Sequence, residues 1–338
     1  MDSISQIVLG GAVAFAVAGK TSPRKALLYG SAIAVLPDLD VFVPYADAIS
    51  TVTKHRSWSH SLLVQTLAAP ILALLLRRID SVFSVKQWLL LTWLALITHS
   101  CLDAHTIYGT QLFWPFMPPP YSGGSVFIID PLYTIPLLIG FIAVLSRPLS
   151  LLSHTLSRLG LILSSIYLVW GLFAQSWILA NVKTELVTQG IETDKVLVMA
   201  TPFNSLLWRV LVIENNFYYE GFRSVFDGDK PSLFKQYDRH PDLIDKLKEV
   251  PSLQRLDWFT DGFYSVEKID TSYIATDLRM GLEPKYFFRY HIAESIDESF
   301  KISPAKRFAS KQGNKEVLTW VWQRIWTNKA SMKNVNAR

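Results

Sequence analysis

The chain reads as an all-α membrane bundle of about six segments, residues 1–180, followed by a small soluble α+β domain, residues 181–338. Charge density separates the two. The first part holds seven of the 28 acidic residues and ten of the 33 Lys and Arg; the second holds 21 and 23, an ordinary soluble mixture. Apolar stretches fill the first part at residues 4–19, 26–43, 61–76, 87–106, 126–146 and 159–180. A membrane-crossing helix needs about 20 apolar residues. The last two stretches meet that comfortably. The first four are short or interrupted by polar groups, so tilted or re-entrant helices are allowed and four spans stand as the alternative to six.

The first stretch follows Met1-Asp2-Ser3-Ile4-Ser5, which lacks the positive region of a cleavable signal, so the segment is expected to be retained. Basic residues then orient the rest. With the N-terminus outside, Lys20, Arg24, Lys25, Arg77, Arg78, Lys86, Arg147 and Arg158 all fall in cytoplasmic loops, leaving only Lys54 and Arg56 opposite. That bias is what the positive-inside rule requires. Trp88 and Trp177 lie near segment ends, where interfacial aromatic belts form, and Pro118-Pro119-Pro120 with Gly123-Gly124 makes a rigid outer loop. This topology puts the soluble domain on the extracytoplasmic side.

Beyond Asn181 the pattern changes to strands and turns. Val196–Ala200 and Trp208–Ile213 are β-branched and apolar, and Asn215-Asn216 before Phe217-Tyr218-Tyr219 signals a hairpin. Phe263–Ile269 and Ser272–Leu278 flank a second turn, and Tyr286–His291 supplies a further strand. Residues 231–258 read as helical, broken at Pro241 and Pro251, and Trp320, Trp322 and Trp326 mark a terminal helix. Cys101 is the single cysteine, so no intrachain disulfide forms; it reads as a small lipid- or core-facing residue, with a thiolate ligand as the alternative. The pI near 9.1 comes with no basic face or run, so specific nucleic-acid binding is not expected.

The most informative residues are acids and histidines set in apolar surroundings: Asp38 and Asp40, His55 and His60, His99 and Asp103, with Asp130 opening the fifth stretch. Ionised groups at membrane depth cost roughly 2.5–3.5 kcal/mol each, so they persist there when paired, hydrated or bound to an ion. Under the topology above, all of them arrive at the outer face. His99 and Asp103 are four apart, one helical turn, and so share a face, either as two metal ligands or as a structural His–Asp pair. Asp38 and Asp40 cannot share a helical face; a turn after Pro37 places one at a metal and the other beside it, orienting a ligand or acting as a base. His55 and His60 are five apart and no His-Glu-x-x-His occurs, which disfavours a zincin-type protease. Arg56 suits a phosphate or carboxylate of a substrate, or a lipid head group.

These motifs resemble a known family, the inner-membrane metal-dependent hydrolases of the YdjM type, some of them under SOS (LexA) control. The resemblance rests on Leu36-Pro37-Asp38-Leu39-Asp40, His55-Arg56-x-x-x-His60-Ser61, and His99-x-x-x-Asp103 running on to Tyr108–Phe116. It extends to Asp130-Pro131 and to Pro202-x-Asn204 with Trp208-Arg209. Ser57-Trp58-Ser59 replaces the Gly and Thr often seen after the Arg. The resemblance implies a multipass protein of the bacterial inner membrane, a divalent metal and a hydrolytic activity, with distant similarity to zinc-dependent phospholipase C and nuclease proteins.

The expected function is hydrolysis of an ester or phosphoester of a lipid or lipid-linked substrate at the extracytoplasmic face. Asp38, His55, His60, His99 and Asp103 are the expected ligands of Zn²⁺ first, with Mn²⁺ or Mg²⁺ as alternatives; Asp40 or Asp130 is expected to move the proton and Arg56 to hold the substrate anion. The rival is a non-catalytic, metal-stabilised membrane scaffold whose soluble domain binds partners. A metal-free lipid phosphatase is disfavoured by the absence of a Pro-Ser-Gly-His element.

Overall fold

The computed structural model describes residues 1–328 except 192, 194, 215, 297–298 and 309–314. The chain separates into two compact units, Met1–Val43 with His55–Gly171, and Pro44–Lys54 with Leu172–Arg338.

The first unit is helical and follows the apolar stretches in order. Helix α1 (Ser3–Ala18) starts at Asp2, whose carboxylate accepts from the amides of Ile4 and Ser5. Helix α2 (Pro23–Val35) has Pro at its first position and ends where Pro37 cannot donate, so Leu36–Phe42 tightens into a 3-10 helix. The two helices cross closely. A Cβ on Gly10 would stand 2.6 Å from the Gly30 carbonyl oxygen, and one on Gly30 would stand 2.2 Å from that of Gly10. Small residues at both crossing points are what let the backbones touch.

The second unit claims Ala48–Lys54, helix α3, whose Ile49 is buried in that unit's core. The first unit resumes with a 3-10 turn at Trp58–His60 and helix α4 (Leu62–Ile79), capped by the Ser61 hydroxyl. Helix α5 (Val85–Ala104) opens with a full capping box from Ser84 and Gln87. Helices α6 (Pro131–Ser146) and α7 (Leu151–Thr188) complete the set, α7 running on into the second unit. Trp88 is fully buried against Tyr29 and Phe83, with Nε1 donating to Asp80 O, so it is a core residue and not part of an interfacial belt.

Two helices, Leu62–Ile79 and Leu151–Thr188, are long and apolar enough to cross a membrane among the described residues; Ser3–Ala18 and Pro131–Ser146 are shorter apolar helices. Large apolar side chains point outward along them, among them Leu67, Ile71 and Leu75 of α4, Leu132, Ile135 and Ile139 of α6, and Ile162, Ile166 and Val169 of α7. Exposed apolar surface of this kind suits contact with lipid or with another protein.

The second unit is rich in sheet. Strands β1 (Val196–Ala200), β2 (Leu207–Glu214), β3 (Phe217–Ser224) and β4 (Lys235–Asp238) form an antiparallel sheet in that order. Glu214 pairs with Phe217 across the expected hairpin, in which Asn215 lies outside the described residues. β4 falls in the stretch expected to be helical. It is an edge strand with exposed Lys235 and Gln236, and such strands lack the apolar alternation that would reveal them. Helices α8 (Pro241–Leu247) and α9 (Pro251–Thr260) follow at the two expected prolines. Strands β5 (Tyr264–Ile269) and β6 (Ser272–Asp277), the short hairpin β7 (Gly281–Leu282) and β8 (Lys285–Tyr286), and β9 (Arg289–Ile296) and β10 (Ser299–Arg307) lead to helix α10 (Lys315–Trp326). The second sheet has the order β10-β9-β6-β5.

Candidate metal centre

Three segments of the first unit bring four potential ligands together. Pro37 turns the chain so that Asp38 and Asp40, two residues apart on the tight 3-10 helix, face different ways. The 3-10 turn at Trp58–His60 delivers His60, and α5 supplies His99 and Asp103 from one face. One ligand atom from each of Asp38, His60, His99 and Asp103 lies within 4.8 Å of all the others.

The separations define a cage. His60 Nε2 and His99 Nε2 are 3.0 Å apart. Asp38 Oδ1 lies 3.4 Å from the former and 3.6 Å from the latter; Asp103 Oδ2 lies 3.2 Å and 3.5 Å from them. In a tetrahedral site with metal–nitrogen bonds of about 2.0–2.1 Å the ligand atoms stand about 3.3 Å apart. These five edges, 3.0–3.6 Å, bracket that figure and the Asp38–Asp103 edge is within 4.8 Å, so the group could hold a small divalent cation. The side chains of His60, His99 and Asp103 are 0 % exposed and that of Asp38 is 23 % exposed, which makes Asp38 the edge of the site nearest solvent.

Two buried atoms of the cluster residues lack hydrogen-bond partners among the described residues. Asp103 Oδ2 accepts no hydrogen bond among the described residues, although Arg56 Nε lies 3.2 Å away, and His99 Nδ1 is likewise unpaired. Such buried orphans are rare in folded proteins and call for an explanation. The other carboxylate oxygen, Asp103 Oδ1, accepts from Gln6 Nε2 at 3.0 Å and pairs with the Met1 amino group.

A hydrogen-bond relay sets the tautomer of His60. Ser59 Oγ lies 2.5 Å from Asp40 Oδ2 and 2.9 Å from His60 Nδ1. A carboxylate can only accept, so the single hydroxyl proton goes to Asp40 and His60 Nδ1–H donates to Ser59. The lone pair is then on Nε2, facing the cage. Carboxylate support of this kind fixes the orientation of a ligating imidazole and raises its basicity.

The remaining expected site residues lie around this cluster. His55 Nδ1 donates to Asp40 Oδ1 at 2.5 Å and stands outside the four-residue group. Arg56 adopts φ +60°, a left-handed conformation, which turns its amide onto Asp40 Oδ2 at 3.0 Å. Its guanidinium is buried, with Nη1 donating to Thr106 Oγ1 at 3.2 Å and the group lying over the Tyr108 ring. Asp130 caps α6 through the Leu132 amide and accepts from the Tyr167 hydroxyl at 2.8 Å. His105 bonds Ser125 Oγ, and Cys101 is an exposed free thiol. Sequence reasoning missed Gln6 and Gln65, whose signal was a lone amide inside an apolar helix, and it read Ser59 only as part of the Ser57-Trp58-Ser59 replacement.

All of these residues fall within residues 1–178, which match the YdjM inner membrane protein family. The chain is also 33 % identical over 104 residues to inner membrane protein YbcI of Escherichia coli (strain K12), an alignment covering 30 % of this chain and 59 % of that protein. It thus spans about three-fifths of the length of that curated relative. No solved structure matches the chain. The family match covers the whole helical unit and every member of the ligand cluster, so this chain belongs to the YdjM inner membrane protein family.

Proposed function

We propose that this protein is a multipass metal-dependent hydrolase of the inner membrane, acting at the extracytoplasmic face on an ester or phosphoester of a lipid or lipid-linked molecule. The observation that supports this reading above others is the convergence of four ligand atoms from three segments, one of them at solvent. In the accompanying topology α1, α2, α4, α5, α6 and α7 cross the bilayer, the eight loop bases face the cytoplasm and the second unit lies outside.

Asp38, His60, His99 and Asp103 would hold the cation. Two imidazoles with two carboxylates suit zinc first, manganese next and magnesium least. When bound, such a cation supplies Lewis acidity and brings the ionisation of water toward neutral pH. The chain's own groups do the rest. Ser59 and Asp40 hold His60 in the ligating tautomer. Asp40 is the nearer carboxylate to take up a proton, and His55, 21 % exposed, whose Nδ1–H it accepts, connects it with water. Arg56 holds Asp103 in place and offers its charge to an anionic group entering from that side. Asp130, already engaged by a cap and a phenol, is the weaker candidate for proton transfer.

The full burial of three ligands also favours a second reading, a closed structural metal in a membrane scaffold. Turnover separates the two. Detergent-purified protein is expected to hydrolyse a chromogenic phosphodiester or a labelled phospholipid, with activity lost in His99→Ala and Asp103→Asn. A wild type that carries its metal but turns over neither substrate would leave the scaffold and end the hydrolase.

A further inference from the structure

We propose that an apolar groove between α4 and the Leu36–Phe42 turn holds one acyl chain of a phospholipid with its ester end toward the metal cluster; this deepens the hydrolase reading and rests on it for the direction of the chain. The groove encloses about 270 Å³. Val64, Ala68 and Leu72 of α4 form one wall, spaced four apart and therefore on one helix face, and Leu39, Trp58 and Leu96 complete it. Its volume lies just below the roughly 300 Å³ at which sites begin to enclose a drug-sized molecule, so it suits part of a lipid, a single chain.

One end of the groove is polar, and that end meets the cluster. Asp40, Ser59 and Gln65 line it, and Ser59 Oγ is 2.9 Å from the ring of the ligand His60. Pro37, also in the lining, directly precedes the ligand Asp38. Gln65 is buried and donates through Nε2 to Ser59 O at 2.9 Å and Ser100 Oγ at 2.7 Å. Those partners fix its amide orientation and leave Oε1 as an acceptor with no donor among the described residues.

The occupant follows from where the groove lies. The neighbouring face of α4 carries the outward apolar residues Leu67, Ile71 and Leu75 of an inner-membrane family protein, so the hydrocarbon next to the groove is acyl chain. A chain sliding off that face into the groove carries its ester linkage to Asp40 and Ser59, the residues adjoining the ligands.

The test uses full-length protein in phosphatidylcholine nanodiscs containing a phosphatidylglycerol whose second acyl chain ends in a diazirine. After irradiation, adducts mapped by mass spectrometry are expected to concentrate on Ala68 and Leu72, one and two helical turns along α4 from Val64 and the polar end. Ala68→Trp and, independently, Val64→Trp are expected to reduce adducts at the unmutated groove positions at least tenfold with metal content unchanged, while Ile71→Trp on the outward face leaves them as in wild type. With a series of phospholipid chain lengths, Ala68→Trp is expected to shift kcat/KM toward short chains by about tenfold. Adducts spread evenly over Leu67, Ile71 and Leu75 and insensitive to both groove variants would overturn the proposal. Failure of the hydrolase reading looks different: no turnover by wild type, yet groove adducts that Ala68→Trp abolishes, which supports the groove as a lipid site.

Discussion

Buried charge is handled in opposite ways in the two units. In the second unit each buried cation has an anion of its own. Arg209 Nε donates to Glu220 Oε1 at 2.7 Å, and its Nη1 donates to the Leu278 carbonyl at 2.8 Å. Arg324 grips Asp227 through two bonds, at 2.9 and 2.7 Å, and also reaches the Phe222 carbonyl. Glu283, which burial pushes above the ordinary carboxylate range, takes the Tyr218 hydroxyl at 2.6 Å. The first unit instead turns four potential ligand atoms toward one another. Two imidazole nitrogens and two carboxylate oxygens face a common point, and Asp103 Oδ2 is left without a hydrogen bond. A closed network needs nothing added, whereas lone pairs that converge are completed by a cation.

That contrast can be broken at either end. The largest effect is expected at the cluster: His99→Ala removes a ligand and should take the metal content of purified protein from near-stoichiometric to background, measured by elemental mass spectrometry. Equal metal in wild type and variant would place the ion elsewhere. Next comes Arg209→Ala. It strands the buried Glu220 carboxylate, and loss of one partner of such a pair costs about 3–5 kcal/mol. Thermal or chaotrope unfolding of the second unit should shift accordingly, and pairing Arg209→Met with Glu220→Leu should recover most of the loss. A single variant as stable as wild type would mean that the pair carries little.

The smallest effect sharpens the account of the cluster. Ser59→Ala cuts the link between Asp40 and His60 while leaving all four ligands in place. Metal affinity, measured by competition with a chromogenic chelator, is expected to fall about 10–100-fold, the range for outer-shell partners of ligating histidines. Ser59→Thr, which keeps the hydroxyl, should restore it. Unchanged affinity in Ser59→Ala would remove the relay from the account.

Much of the helical unit was legible in the sequence because apolar runs map directly onto helices, and the four-residue spacing of His99 and Asp103 survives as a shared face. What was not legible depended on turns. Whether His55 or His60 faces the cluster is decided by the 3-10 turn at Trp58–His60 and by the left-handed Arg56, neither of which leaves a periodic signal. Pro37 led to the expectation that Asp38 and Asp40 would face different ways, and they do, but the contacts of Ser59 were not foreseen, since a hydroxyl relay needs three side chains placed in space. In the second unit the polar edge strand Lys235–Asp238 escaped for a related reason, its conformation being set by pairing with β3 and not by its own pattern.

The central claim is that Asp38, His60, His99 and Asp103 complete one another around a cation, and X-ray absorption at the edge of the metal that co-purifies with the wild-type protein tests it most directly. The account predicts a mixed nitrogen and oxygen shell at about 2.0–2.1 Å with outer-shell scattering from two imidazole rings. A shell of oxygen alone without imidazole scattering, or protein that holds no stoichiometric metal, would contradict it.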